Sequence, residues 1–168
     1  MATFGRTPTF QSSDEIDFAV SDDGRAFTLL FVGSGFELDT GASEAPIATR
    51  LFSLVVPIEG DDERVEIEFI AGASVTLFDG ATAASVLSVN GQSVVADLSA
   101  QEPAQDSETV LKYAADQPSE CRLAFLLLAG RDSKNPGSNA VLAAQSIDAE
   151  FLPRAPGPQG PPVPPPEA

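Results

Sequence analysis

The stretch IDFAVSDDGRAFTLLFV, residues 16–32, decides the fold class of this chain. Apolar residues alternate with polar or small ones from Ile16 to Val20, which is the period of a half-buried strand. Ser21-Asp22-Asp23-Gly24 follows, and Asp-Gly favours a tight hairpin turn because both residues tolerate positive φ. Ala26 to Val32 is apolar again. The stretch therefore predicts an antiparallel β-hairpin.

Apolar runs of strand length, separated by turn residues, recur along the rest of the chain. Asn90-Gly91 is a second hairpin signal of the favoured type. Cys121 to Leu128 is a continuous apolar run, as expected of a strand that is central in a sheet or buried on both faces. We therefore predict an all-β fold, an antiparallel, jelly-roll-like β-sandwich of about eight to ten strands with no long helix.

Two alanine-rich segments, residues 81–87 and 140–147, admit a helical interpretation. The regular spacing of strands and turns around them favours strands instead. Within the predicted strands, we expect Ile147 and Phe151 to point inward and Glu66 and Glu68 to form a wet face. Four further apolar residues are expected in the core: Leu51, Leu54, Val56 and Ile58.

The predicted boundaries follow changes in composition. Residues 1–13 lack periodicity and are expected to form an N-terminal arm, residues 14–152 the sandwich, and residues 153–168 a proline-rich tail. Proline fixes φ and cannot donate to a sheet, so the tail is expected to be extended polyproline II or disordered. An extended segment of this kind also suits docking to a protein partner. The candidate docking residues are Pro156, Pro158, Pro161, Pro162, Pro164, Pro165 and Pro166.

The charge of the chain excludes several classes of partner. The net charge is −16 and the pI is about 4.1. Phosphate backbones and anionic lipid leaflets repel such a surface, so we expect no nucleic-acid binding and no membrane binding. No apolar stretch is long enough to span a bilayer, and the first ten residues do not resemble a signal peptide. The expected location is cytoplasmic, unless a signal has been removed.

Catalytic chemistry is restricted by two residue types. The chain contains no histidine, which excludes Ser-His-Asp and Cys-His catalysis. Its single cysteine, Cys121, excludes an intramolecular disulfide and a cysteine-based zinc site. We expect Cys121 to be a buried, inert thiol, with an intermolecular disulfide as the alternative. We therefore predict no catalytic residues, no cofactor and no metal site.

Clustered carboxylates are the remaining candidates for chemistry. Asp22-Asp23, Asp61-Asp62-Glu63 and the Glu66/Glu68 pair admit a calcium site or a pair of glycosidase carboxylates. Solvated turn residues are the simpler interpretation, because no EF-hand spacing is present. The glycines at 33, 35 and 41 are interpreted as residues that interrupt strands rather than as a phosphate-binding loop.

Several stretches together resemble a domain-of-unknown-function family of small secreted β-sandwich proteins from bacteria and fungi. The resemblance implies a sandwich fold, a secreted or cell-surface location and no catalytic residues. This chain has Cys121 at a matching position but lacks the cysteine that the family pattern places before Leu51, which weakens the implication of secretion. The matching stretches are VSDDGRAFTLLF (20–31), LFSLVVPIEG (51–60), SVTLFDGATA (74–83), VNGQS (89–93), SECRLAFLLLAG (119–130) and IDAEF (147–151).

The sequence leads to one main functional hypothesis and two alternatives. The main hypothesis is a non-catalytic structural or protein-interaction sandwich, built into a larger assembly through protein partners or self-assembly at its termini. The first alternative is a carbohydrate- or calcium-binding module that uses its acidic loops. The second is a hydrolase that works through two carboxylates.

Overall fold

The computed structural model of the protein describes residues 1–10, 15–33, 36–43, 45–60, 64–99 and 105–153. Within this part, no helix has the length and apolar character required to cross a membrane. The elements in chain order are β1 (Thr3–Phe4), β2 (Thr9–Phe10), β3 (Ile16–Val20), β4 (Ala26–Phe31), β5 (Glu37–Asp39), α1 (Thr40–Ser43), β6 (Ile47–Glu59), β7 (Arg64–Phe78), β8 (Thr82–Val89), β9 (Gln92–Asp97), β10 (Gln105–Asp116), β11 (Glu120–Gly130) and β12 (Asn139–Phe151).

The strands form two antiparallel sheets that pack face to face. Sheet I has the order β1-β6-β11-β8-β9, with β2 also paired to β6. Sheet II has the order β10-β7-β12-β4-β3, with β5 also paired to β12. If β4 is counted as the first strand and β6 to β12 as the second to the eighth, the order β10-β7-β12-β4 in sheet II is sixth, third, eighth, first. The order β6-β11-β8-β9 in sheet I is then second, seventh, fourth, fifth. This is the order of a jelly roll, so the fold prediction is confirmed.

Both predicted hairpins are present. In the first, β3 pairs with β4, and Gly24 has a φ of 70° in the turn between them. In the second, β8 pairs with β9 across Asn90 and Gly91, whose φ values are 48° and 87°. A type I′ turn requires positive φ at both central residues, which explains why this dipeptide is a reliable signal. The two alanine-rich segments are strands, as predicted.

The core lies between the sheets and is formed by the inward side chains of each strand. Phe52, Phe69 and Phe125 are fully buried within it. Burial in β6 alternates so that Leu54, Val56 and Ile58 point inward, as predicted. The prediction was wrong for Leu51. It lies on the outward side of β6 and is 58% exposed, because strand alternation gives the inward position to its neighbour at 52.

A β-bulge in β12 changes which residues face the core. The register with β7 shifts between Ala144 and Ser146. Buried positions are even-numbered before the bulge, as at Leu142, and odd-numbered after it. Ile147 and Phe151 are therefore buried, as predicted.

The segment expected to be an N-terminal arm contributes to the sandwich over its first ten residues. β1 and β2 both pair with β6, and Phe4 is buried. The backbone N–H of Phe4 donates to the carbonyl of Gly24 at 2.8 Å, which joins this segment to the β3–β4 turn. Two-residue strands have no periodicity to detect, which is why the sequence did not indicate them. Counting from Ile16, the described strands number ten, within the predicted range.

Candidate functional site

A cleft of about 910 Å³ lies at one end of the sandwich. It is formed where the β3–β4 turn, the start of β7 and the end of β12 meet. Its size is within the range of ligand-binding pockets. The polar side chains that line it are Asp23, Arg25, Arg64, Glu66 and Glu150, and Met1, Leu152 and Pro153 contribute apolar surface.

Arg25 is held firmly at the side of this cleft. Its guanidinium lies 5.0 Å from the centre of the Phe151 ring, a cation–π contact. Its Nη2 donates to the carbonyl of Phe151 at 3.3 Å, and the Phe151 N–H donates to the carbonyl of Arg25 at 2.9 Å. These contacts join the β3–β4 turn to the end of β12, so this wall of the cleft is pre-organised.

Asp23 presents an ionised carboxylate beside Arg25. The Ser21 hydroxyl donates to its Oδ1 at 2.6 Å, and the Arg25 backbone N–H donates to the same oxygen at 3.0 Å. These hydrogen bonds, that of Ser21 above all, hold the pKa of the Asp23 carboxyl below its usual range. Asp23 therefore acts only as a hydrogen-bond acceptor at neutral pH.

Arg64 and Glu66 stand on the first residues of β7, on the solvent side of the cleft. Arg64 Nε lies 3.9 Å from Glu66 Oε1, and Arg64 Nη1 lies 3.8 Å from Asp116 Oδ1. Exposed ion pairs at such distances contribute little to stability. Both side chains can therefore reorient towards a ligand at low cost.

The lining restricts the ligand by its hydrogen-bonding chemistry. Guanidinium groups only donate and carboxylates only accept, and the cleft places both kinds side by side. A hydroxyl group both donates and accepts, so a ligand with several hydroxyl groups can satisfy the two kinds together. Asp23, Glu66 and Glu150 would repel an anionic ligand, and the two arginines would repel a cationic one. The cleft therefore favours a neutral polar ligand.

Metal binding has little support in the described structure. In the part of the chain that the structure describes, no group of three or more histidine, cysteine, aspartate or glutamate side chains is arranged to hold a metal ion. Glu66 and Glu68 lie on the outer face of sheet II, where Lys112 Nζ is 3.6 Å from Glu68 Oε2, and they are the predicted wet face. Asp61-Asp62-Glu63 lies outside the described residues.

Cys121 is fully buried on the inner side of β11, as predicted. Burial, with a smaller contribution from the charge of Glu120, raises the pKa of the thiol to about 12. The thiolate is therefore scarce at neutral pH and the thiol is inert. An intermolecular disulfide would require the sulfur to reach the surface, so this alternative does not fit the fold.

The outer faces of the two sheets differ in charge. That of sheet II is mostly acidic, with charged side chains at Arg64, Glu66, Glu68, Asp106, Glu108, Lys112, Asp116, Asp148 and Glu150. On sheet I, the outward positions in the middle of four adjacent strands carry no charge. We call them the uncharged face: Thr49, Leu51, Ser53, Val55, Ala84, Val86, Ser88, Ser93, Val95, Ala124, Leu126 and Leu128.

Comparison with known proteins yields only distant structural similarity. No family model matches the chain, and no curated protein matches it. The resemblance to a family of unknown function therefore stays a prediction.

Three solved structures illustrate the similarity. A ruminal GH26 endo-β-1,4-mannanase shares 15% identity at a TM-score of 0.41, over 74% of this chain but only 21% of its own. A family 61 carbohydrate-binding module in complex with β-1,4-galactotriose shares 8% identity at a TM-score of 0.36, over 88% of this chain and 90% of its own.

The third is the family 11 carbohydrate-binding module of a cellulosomal cellulase of Clostridium thermocellum. It shares 10% identity at a TM-score of 0.24, over 89% of this chain and 88% of its own. At such low TM-scores, the comparisons carry no argument about this chain. Its assignment to the jelly-roll sandwiches depends on its own strand order, and any proposal of a ligand depends on its own side chains.

The cleft unites residues that sequence reasoning treated separately or missed. Asp23 and Glu66 were candidates in separate acidic clusters, and the structure brings both to the cleft. Arg25, Arg64 and Glu150 were missed, since nothing in their local sequence marks them as a site. Gly33, with a φ of 69°, follows the end of β4, where it turns the chain away from the strand as predicted. The candidate docking prolines of the tail all lie outside the described residues.

Proposed function

We propose that this chain is a non-catalytic binding module that takes a neutral carbohydrate in the cleft at the end of the sandwich. The observation that carries the proposal is the lining of the cleft, in which guanidinium and carboxylate groups stand side by side. Sugar hydroxyls satisfy both kinds of group, and the apolar surface of Met1, Leu152 and Pro153 suits the C–H faces of a sugar ring. Calcium is not part of the proposal.

The proposed ligand is neutral for two reasons, the mixed charges of the cleft and the negative charge of the whole protein. A net charge of −16 repels acidic polysaccharides over long distances. The chain has no tryptophan, and its one tyrosine, Tyr113, is buried. Stacking on a large exposed aromatic ring therefore contributes little. Hydrogen bonds that Arg25 and Arg64 donate and that Asp23 and Glu66 accept supply most of the specificity. The expected binding is weak and selective for sugar stereochemistry.

The module is proposed to bind without cleaving its ligand. A glycosidase acid needs a raised pKa, whereas hydrogen bonds lower the pKa of Asp23. Glu66 is exposed to solvent, whereas the carboxylates of a glycosidase work in a site from which water is largely excluded. Chromatography of oligosaccharides after long incubation with the protein tests this, and shortened products would overturn the non-catalytic assignment.

Arg64→Ala is expected to weaken carbohydrate binding by about tenfold or more, because a hydrogen bond from a charged group contributes about 1.5–3 kcal/mol. Isothermal titration calorimetry with a panel of neutral oligosaccharides measures the effect. The matched control is Lys112→Ala, which removes another exposed cation with a carboxylate partner on sheet II. Lys112 does not line the cleft, so its loss should leave the affinity unchanged.

Two results would contradict the carbohydrate proposal. One is the absence of heat and of any change in melting temperature across the panel. The other is equal weakening by Arg64→Ala and Lys112→Ala, which would indicate a general charge effect rather than a site in the cleft.

A second candidate function is a structural or protein-interaction role within a larger assembly. The uncharged face of sheet I favours it, because a contiguous apolar row on an otherwise charged surface is typical of a protein-interaction site. The N-terminal segment is not available as a docking arm, since β1 and β2 belong to sheet I. The proline-rich tail, residues 153–168, keeps its proposed docking role.

Deletion of residues 154–168 is expected to abolish partner capture through the tail while leaving the melting temperature unchanged. The last described strand, β12, ends at Phe151, and every residue of the described core lies before the deleted segment. Pull-down with the full chain and the shortened chain, followed by sedimentation of each, measures both effects. Identical partner binding by the two proteins would remove the tail from the proposal.

A further inference from the structure

The uncharged face of sheet I contains a continuous row of aliphatic side chains. Leu51 on β6 pairs with Leu126 on β11, Leu126 pairs with Val86 on β8, and Val86 pairs with Val95 on β9. The outer members are well exposed, Leu51 at 58% and Val95 at 66%. Isolated exposed apolar residues are ordinary, but a row that crosses four neighbouring strands forms one contiguous apolar surface.

We propose that the uncharged face packs against the same face of a second copy of this chain, which gives a two-fold symmetric dimer. Such an interface is isologous, so each copy supplies the surface that the other requires. Two sheets of this kind pack face to face at a separation of about 10 Å, with their aliphatic side chains interdigitated. The row from Leu51 to Val95 supplies those side chains.

The distribution of charge leaves two copies of this chain one favourable orientation. Two chains with a net charge of −16 repel each other wherever their acidic surfaces approach. With the uncharged faces in contact, the four sheets of the dimer stack in the order II, I, I, II. Three sheet-to-sheet steps of about 10 Å then separate the two sheets II by about 30 Å. The Debye length at physiological salt is about 8 Å, so the repulsion between these faces is largely screened.

The size of the face predicts the strength of the dimer. Four strands at about 4.8 Å spacing and seven residues at about 3.3 Å rise give an area of roughly 450 Å² on each copy. The total of roughly 900 Å² is below the range of stable interfaces and within that of weak, transient ones. The protein is therefore expected to be a reversible dimer whose population rises with concentration.

The test uses sedimentation velocity of the full chain over a wide range of concentration, at low and high salt. The expected result is a shift from monomer to dimer with concentration, and a tighter dimer at high salt because repulsion is screened. Val95→Asp should raise the dissociation constant more than tenfold, since the two-fold axis introduces the new charge twice. Both substituted side chains then face an apolar surface, where an unpaired charge is costly.

Val110→Asp is the matched control. Val110 is an exposed valine on an edge strand, as Val95 is, but it lies on the outer face of sheet II and is 43% exposed. This variant should dimerise as the unaltered chain does, and circular dichroism and thermal melting should show both variants folded.

Three outcomes would overturn the dimer. They are a monomer at every concentration and salt, a dimer that Val95→Asp leaves intact, and a dimer that weakens as salt rises. A monomer whose uncharged face is protected only when another protein is added would assign the face to a different partner. None of these outcomes affects the carbohydrate proposal, because the cleft residues lie elsewhere.

Discussion

Phe125→Ala is expected to lower the free energy of unfolding by about 3–5 kcal/mol, a large part of the stability of an ordinary domain. Phe125 is fully buried at the middle of β11. It pairs with Phe52 on β6 and with Leu87 on β8, so its ring lies at the centre of the core-facing side of sheet I. Removal of the ring loses buried apolar surface and leaves a cavity that the paired strands cannot close.

Urea denaturation followed by circular dichroism measures this loss. Phe78→Ala is the matched control, because Phe78 ends β7 and is 48% exposed, and it should change stability by less than about 1 kcal/mol. If Phe125→Ala does not fold, Phe125→Leu keeps most of the volume and should lose about 1.5 kcal/mol or less. Equal losses at 125 and 78 would mean that sheet I is not packed around Phe125.

Thr109→Val is expected to cost about 1–3 kcal/mol although it preserves side-chain volume. Ser85 Oγ and Thr109 Oγ1 are 2.6 Å apart, and the two residues are only 1% and 4% exposed. Ser85 belongs to β8 of sheet I and Thr109 to β10 of sheet II, so this hydrogen bond joins the two layers through the core. The valine leaves the serine hydroxyl buried without a partner, which is the costly arrangement.

A double-mutant cycle separates the hydrogen bond from its packing. Ser85→Ala alone should destabilise the protein for the same reason, whereas Ser85→Ala combined with Thr109→Val should cost less than the sum of the two. Once both hydroxyls are gone, no buried polar group is left unpaired. Additive losses in the three variants would contradict the proposed inter-sheet hydrogen bond.

The candidate site was only partly predictable from sequence. The β3–β4 turn that holds Asp23 could be read directly, since its signal lies within four consecutive residues. The cleft also needs Arg64, Glu66 and Phe151, which come from β7 and β12. The contact between Arg25 and Phe151 spans 126 positions of the chain, and no local pattern encodes so distant a pairing.

The sequence alone determined the class of fold, because turn residues and strand alternation are local properties. It also determined that β11 is central, since a long apolar run suits a strand with neighbours on both sides. Only the tertiary structure decided the jelly-roll order, because pairing across the sheets joins strands that are far apart in the chain. It also decided which side of each apolar run is covered. In β6 and β11 apolar residues occupy both faces, so hydrophobicity alone did not show which face is covered. The second sheet covers one face, and the other, with Leu51 and Leu126, is left outward to form the proposed dimer interface.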